Sequence, residues 1–168
     1  MAQNGLKKGL PQAGKEIERK FLVKNNSWRS LATGKRYRQG YLSCAKERVV
    51  RVRTVDKKGF LTVKGMTKGA SRIEYEYEIP FIEAESMLET LCEKPLIEKK
   101  RYEIECHRLV WEVDEFFGEN QGLVIAEVEL ETEGQHYEKP WWVDEEVTGD
   151  PRYFNSNLVK CPYSKDSG

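Results

Sequence analysis

The 168-residue chain carries 28 basic and 28 acidic residues, which give a formal net charge of +0. A chain of this length suits one domain with a substantial core. The balanced charge argues against the broad basic field with which proteins attract nucleic acid or membrane surfaces. We therefore expect no nucleic-acid or membrane partner, and any function that depends on charge has to arise from a local arrangement.

The chain divides into a tail, one domain and a second tail. Residues 1–14 are rich in Gly, Gln, Asn and Lys without a hydrophobic period, so we predict a flexible tail there, a domain at 15–160 and a C-terminal tail at 161–168. The chain shows no signal-peptide core and no long uncharged apolar run, and this favours a cytoplasmic location. The four cysteines form no CxxC pair, which predicts free thiols.

Alternating polar and apolar residues predict strands along most of the domain. The predicted strands cover residues 15–23, 36–43, 48–55, 60–64, 72–79, 97–105, 109–115 and 123–131. Residues 82–93 change to a helical period, which predicts one long helix on the outside of the sheet. Residues 28–31 are predicted to form a short helical turn, and the last third of the chain to be helical and irregular. The four tryptophans are expected to anchor the core or the end of the fold.

The first predicted strand shows a pattern that recurs in the others. Because side chains alternate between the two faces of a strand, Glu16, Glu18 and Lys20 share one face, while Ile17 and Phe21 lie on the other. In residues 72–79 the alternation of charged with apolar or aromatic residues is strict. Most of the strands therefore present a charged face opposite an apolar one.

The second predicted strand is ambiguous. Arg36 and Arg38 share a face opposite Tyr37, but a bulge at Gly40 would change the face of Tyr41. The side of the strand on which Tyr41 lies therefore stays open.

The charged faces differ in sign from strand to strand. Acidic faces come from the first, fifth, seventh and eighth strands, and basic faces from the second, third, fourth and sixth. An open sheet would expose these faces to solvent, whereas a closed barrel would direct them into one lumen. The density of charge favours closure. We therefore predict an α+β, mainly β fold: an eight-stranded antiparallel closed barrel, or tunnel, with a polar lumen and flanking helices.

A lumen with this many charges has to hold water, ions or a charged ligand. Arginine forks suit phosphate oxygens, and paired carboxylates suit a hard divalent cation such as Mg²⁺ or Mn²⁺. The sequence contains no GxxxxGK[ST] loop and no GxGxxG turn. Phosphate would therefore be held by side chains, with a metal ion between phosphate and carboxylates.

Several stretches of these strands form a recognisable set. They are Glu16-Ile17-Glu18-Arg19-Lys20, Arg38-Gln39-Gly40-Tyr41-Leu42, Arg51-Val52-Arg53, Thr62-Val63-Lys64, Glu74-Tyr75-Glu76, Glu98-Lys99-Lys100-Arg101-Tyr102 and Glu127-Val128-Glu129. Together they resemble the motifs of the CYTH superfamily, the triphosphate tunnel metalloenzymes, from about residue 15 to residue 158. The resemblance implies an antiparallel tunnel with a C-terminal plug helix, a triphosphate-containing small molecule as partner, and a divalent metal. A homodimer stays open.

The resemblance also implies roles for individual residues. The implied metal ligands are Glu16, Glu18 and Glu129, with Glu127 and Asp114 as further candidates. The implied triphosphate clamp consists of Lys20, Arg38, Arg51, Arg53, Lys64, Lys99 and Arg101. Glu74 and Glu76 would bind a second metal or orient the basic side chains.

The resemblance favours metal-dependent hydrolysis of inorganic triphosphate (tripolyphosphate) to pyrophosphate and phosphate. An organic triphosphate enzyme, such as a thiamine triphosphatase, a nucleoside triphosphatase or an adenylate cyclase, is one alternative, and a non-catalytic polyphosphate or nucleotide binder is another. The general base stays open. Lys20 could serve with a pKa depressed by neighbouring cations, or Lys20 and Tyr41 could orient water, or Tyr41 could only pack.

Overall fold

The computed structural model describes residues 14–163, which form nine β-strands and two α-helices. The elements are β1 (Gly14–Val23), β2 (Lys35–Ala45), β3 (Arg48–Val55), β4 (Lys58–Gly65), β5 (Ser71–Ile79), α1 (Phe81–Thr90), β6 (Ile97–Cys106), β7 (Leu109–Phe117), β8 (Val124–Glu129), β9 (Val143–Glu146) and α2 (Asn155–Lys160). The predictions for residues 1–13 and 164–168 lie outside the described residues. Gly14, which the sequence analysis assigned to the tail, opens β1.

Strands β1 to β8 close into a ring of antiparallel pairs. The order runs β5-β4-β3-β2-β6-β7-β8-β1, and the first half of β1 returns to β5 through the pair Ile17 and Ser71. The predicted eight-stranded closed barrel is therefore confirmed. The ninth strand was not predicted. It pairs with the second half of β1, but its sequence has one buried residue, Val143, followed by three exposed ones, so no alternation marks it as a strand.

Aromatic side chains cover the outer face of β1, β6, β7 and β8. Trp111 packs 5.5 Å from Phe21 and 6.1 Å from Trp142, measured between ring centroids. Trp28, on a 3₁₀-helix at Ser27–Ser30, is fully buried in the same cluster. The anchor prediction holds for these three tryptophans. It is wrong for Trp141, which is 66% exposed.

Helix α1 lies outside the ring, as predicted. Its buried residues Ala84 and Leu88 pack on Val52 of β3. The helix ends at Thr90, earlier than the predicted residue 93, and Ile82, at the predicted start, is 81% exposed. Burial of Leu88 in this interface stabilises the fold by roughly 2 kcal/mol.

Gly40 allows the segment after α1 to approach β2 closely. A Cβ atom at this position would lie 2.7 Å from the Cβ of Cys92 and 2.8 Å from a methyl group of Leu96. The register of β2 against β3 shifts only after Tyr41. The glycine therefore serves close packing, and Tyr41 stays on the face of Tyr37.

Helix α2 closes one end of the ring with apolar side chains. Leu158 and Val159 cluster with Tyr41, Ile97 and Phe116, which point inward from β2, β6 and β7. This arrangement confirms the predicted C-terminal plug helix. Within the described residues, no helix is long and apolar enough to cross a membrane.

Candidate active site

Strand pairing brings the charged faces together inside the ring. Glu18 lies directly opposite Glu129, Lys20 lies opposite Glu127, and each pair shares the inner face because cross-strand partners do. The inward-facing charged residues include Glu16, Glu18, Lys20, Arg51, Arg53, Lys64, Arg72, Glu74, Glu76, Lys99, Arg101, Glu112, Asp114, Glu127 and Glu129. The structure thus unites every predicted site residue except Arg38, with Tyr41 at the plugged end.

Arg38 lies on the outer face of β2. The prediction that its side chain belongs to the clamp inside the ring is therefore wrong. Its guanidinium forms 2.6 Å ion pairs with Glu85 and Glu89 of α1. The reason is strand alternation: the inward-facing residues of β2 are Tyr37, Gln39 and Tyr41.

Lys20 is held between two carboxylates. Its Nζ lies 2.6 Å from Glu127 Oε1 and 2.9 Å from Glu18 Oε1. Burial opposes the positive charge, but Glu127 and Glu18 outweigh burial and raise the pKa of Lys20. The hypothesis of a depressed pKa at Lys20 is therefore wrong, because the charges nearest to the amine are negative.

Asp114 is fully buried and anchors two members of the predicted clamp. It accepts 2.7 Å hydrogen bonds from Lys99 Nζ and from both Nε and Nη2 of Arg101. Burial opposes ionisation, but Arg101 and Lys99 outweigh it and lower the pKa of Asp114. Because both carboxylate oxygens already accept hydrogen bonds, this geometry suits Asp114 better to orienting cations than to binding a metal.

Carboxylates of β1 and β5 hold Lys64. Its Nζ lies 3.1 Å from Glu16 and 3.0 Å from Glu74, and Arg72 adds a 3.1 Å contact to Glu16. Burial tends to raise the pKa of Glu74, yet the ammonium group of Lys64 outweighs burial and lowers it. Glu74 thus orients a basic side chain here.

Arg51 and Arg53 share Glu76, at 3.3 Å and 3.1 Å. Thr62 donates a 2.9 Å hydrogen bond to the same carboxylate. The Nε atoms of both arginines are buried and lack a hydrogen-bond partner. Two guanidinium N–H donors in the wall of the lumen are therefore unpaired in the described part of the chain.

The carboxylates farthest from the plug crowd around Glu129. The pKa of Glu129 is raised by burial and by the negative charges of Glu16, Glu18 and Glu74. A cation among these oxygens would relieve the repulsion. In the described part of the chain, however, no three Asp, Glu, His or Cys side chains are already arranged as a metal site. The carboxylates instead hold lysine and arginine.

Three inward-facing residues that were missing from the predicted site contact its members: Arg72, which contacts Glu16, and two more, Glu112 and Gln39. Glu112 lies 2.6 Å from Arg101, and burial raises its pKa to about 7. The shared parity of Glu112 and Asp114 was a usable signal. Gln39 is fully buried and donates a 3.1 Å hydrogen bond from Nε2 to Tyr41 Oη. Because Gln39 has no charge, the pattern of charged strand faces does not indicate it.

The model of the CYTH domain matches residues 14–159 of the chain. The chain belongs to the CYTH family. An inorganic triphosphatase of Acetivibrio thermocellus is 60% identical over 150 residues, 89% of this chain and 96% of that protein. An inorganic triphosphatase of Nitrosomonas europaea is 36% identical over 152 residues, 86% of this chain and 96% of that protein. These CYTH relatives span nearly the whole domain.

A solved structure supports the same assignment. The crystal structure of an inorganic triphosphatase superposes with a TM-score of 0.60 at 34% identity, and the match covers 86% of this chain and 93% of that one. The CYTH match begins at Gly14, where β1 begins, and ends at Val159 in the plug helix. The region that matches the CYTH domain therefore includes the complete ring of strands.

Proposed function

We propose that the protein hydrolyses inorganic triphosphate to pyrophosphate and phosphate with the help of a divalent cation. The observation that carries the proposal is the lumen itself, in which basic side chains from five strands face one space beside a group of carboxylates. The relatives named inorganic triphosphatase, at 60% and 36% identity over nearly their full length, support the substrate. Because α2 plugs one end, the lumen favours a compact ligand.

The metal would be Mg²⁺ or Mn²⁺, held by Glu16, Glu18 and Glu129. These carboxylates offer only oxygen, the donor that both ions prefer. The raised pKa of Glu129 reflects burial and a crowding of negative charge that a cation would relieve. When bound, the ion would neutralise phosphate charge and polarise a phosphoryl oxygen. Glu16 contacts Lys64 and Arg72 at 3.1 Å, and Glu127 contacts Lys20 at 2.6 Å, so each would bind the metal only if those contacts loosen.

The basic side chains would bind and orient the phosphates. Arg51 and Arg53 each have a buried Nε–H without a partner, a donor that fits a phosphate oxygen. Lys20, Lys64, Lys99 and Arg101 would add positive charge around the chain of phosphates. Phosphoryl transfer depends mainly on positioning and charge neutralisation, and this lumen supplies both.

Phosphate release from tripolyphosphate, ATP and thiamine triphosphate, each with Mg²⁺, Mn²⁺ or EDTA, tests the proposal. We expect a strong preference for tripolyphosphate and no turnover in EDTA. Equal or faster turnover of ATP or thiamine triphosphate would assign the protein to organic triphosphates instead. Tight binding of tripolyphosphate without phosphate release would identify a binding module.

A further inference from the structure

Gln39 is an uncharged residue in the wall of the charged lumen. It lies opposite Arg53 of β3 and opposite Ile97 of β6, so it borders both the arginine clamp and the apolar plug. The side chain has no exposed surface. Its placement puts a carboxamide at the boundary between the polar and apolar parts of the lumen.

The amide nitrogen of Gln39 has a hydrogen-bond partner, whereas the amide oxygen has none in the described chain. Nε2 donates to Tyr41 Oη at 3.1 Å, while Oε1 is buried and has no hydrogen-bond partner in the described chain. A buried acceptor without a hydrogen-bond partner destabilises the folded protein. Gln39 Oε1 shares this unpaired state with the Nε atoms of Arg51 and Arg53, and ligands in the lumen would supply partners for all three.

The chemistry of the lumen limits what that partner is. Deprotonated phosphate oxygens are acceptors, so they cannot satisfy a carbonyl oxygen. The unpaired Nε–H of Arg53, directly opposite Gln39, would be taken by phosphate in the proposed clamp. A water molecule can donate one hydrogen to Oε1 and direct a lone pair elsewhere. Arg51 and Arg53 would hold phosphate beside Gln39, since each lies on β3 directly opposite an inward-facing residue of β2. Water at Oε1 would therefore lie next to a phosphorus atom.

We infer that Gln39 positions the water molecule that attacks the terminal phosphorus. This inference rests on the proposed function and adds a positioning residue to it. The water oxygen forms a bond to phosphorus as the bridging P–O bond breaks. The electron pair of that bond leaves with pyrophosphate, and one water proton passes to a phosphate oxygen. Glutamine orients attacking water in other phosphoryl-transfer enzymes, so the group is chemically suited to the task.

Gln39→Leu tests this role in the full chain with Mg²⁺, because leucine has a similar volume and no acceptor. The matched control is Gln121→Leu, at an exposed position after β7. We expect Gln39→Leu to lower kcat for tripolyphosphate at least 10-fold and to leave the Kd of imidotriphosphate, a non-hydrolysable analogue, within 3-fold of wild type. Gln39→Glu, which keeps an acceptor oxygen, should recover part of kcat. The control should match wild type in both measurements.

Unchanged kcat in Gln39→Leu would overturn the inference, and so would an equal loss of kcat and of imidotriphosphate affinity, because both indicate a structural role. If Gln39→Leu does not fold, Gln39→Glu decides: a kcat below 1% of wild type with normal affinity would contradict an acceptor role, and a higher kcat would support it. If the wild-type protein releases no phosphate from tripolyphosphate, ATP or thiamine triphosphate, both the proposed function and this inference are wrong. If the wild-type protein hydrolyses ATP alone, only the proposed function is wrong, and the Gln39 variants are then assayed with ATP.

Discussion

Glu18 illustrates how a single carboxylate serves the lumen. It faces Glu129 across the β1–β8 pair and also contacts Lys20 at 2.9 Å. In Glu18→Ala, Lys20 keeps its 2.6 Å contact with Glu127, so the fold should survive. Metal-dependent phosphate release should fall at least 100-fold. The same assay on Glu131→Ala, which removes an exposed carboxylate next to β8, should give wild-type rates.

Circular dichroism melting separates the two effects of Glu18→Ala. A melting temperature close to that of wild type, together with lost turnover, would support a ligand role. Wild-type activity in Glu18→Ala at saturating metal would refute that role.

Two arginines on adjacent strands form a natural comparison at the residue scale. Arg53 points into the lumen and has an unpaired Nε–H, whereas Arg38 points outward to Glu85 and Glu89. Arg53→Ala should raise KM for tripolyphosphate at least 10-fold, because a phosphate donor is lost. Arg38→Ala should leave KM unchanged and slightly lower the melting temperature. Steady-state kinetics on both variants checks this, and a raised KM in Arg38→Ala would show that the outer face also contacts substrate.

At the scale of the element, α2 is the part of the fold that ends the lumen. Leu158 is buried against inward-facing residues of three strands, so truncation leaves a cavity in the plug. Leu158→Ala should reduce the free energy of unfolding by about 3 kcal/mol. Urea denaturation measures this loss. Lys160→Ala, at an exposed position of the same helix, should cost little, and equal losses in the two variants would show that α2 does not pack as described.

Strands β1 and β9 show what the sequence could and could not predict. The charge alternation of β1 correctly indicated its inner face, since Glu16, Glu18 and Lys20 all point inward. Parity within β2 correctly placed Arg38 opposite Tyr37, but the face that points inward depends on pairing with β3, which the sequence of β2 alone does not encode. Strand β9 escaped prediction because only its pairing with β1 makes it a strand.

Charge pairing throughout the ring makes the molecule as a whole sensitive to acid. The pKa of Asp114 is lower in the folded protein than its ordinary value of about 3.9. Its stabilising contribution is therefore complete above that value and is lost as pH falls through the folded pKa. In EDTA, the free energy of unfolding of Asp114→Asn should depend less steeply on pH below pH 4 than that of wild type.

Urea titrations between pH 5 and pH 3 measure this difference in slope. Asp144→Asn, at an exposed position in β9, serves as the control and should follow wild type. Parallel pH profiles for Asp114→Asn and wild type would show that the buried carboxylate is not the group that titrates.

The ring closes between strands that lie far apart in the chain. Lys20 and Glu127, which face each other across β1 and β8, are separated by 107 residues. During synthesis the first half of β1 can pair with β5, but its second half can reach its partner only after β8 has emerged. Until then the apolar side chain of Phe21, in the second half of β1, remains unprotected. Slow folding and a need for chaperones early in synthesis are the expected consequences of this long-range closure.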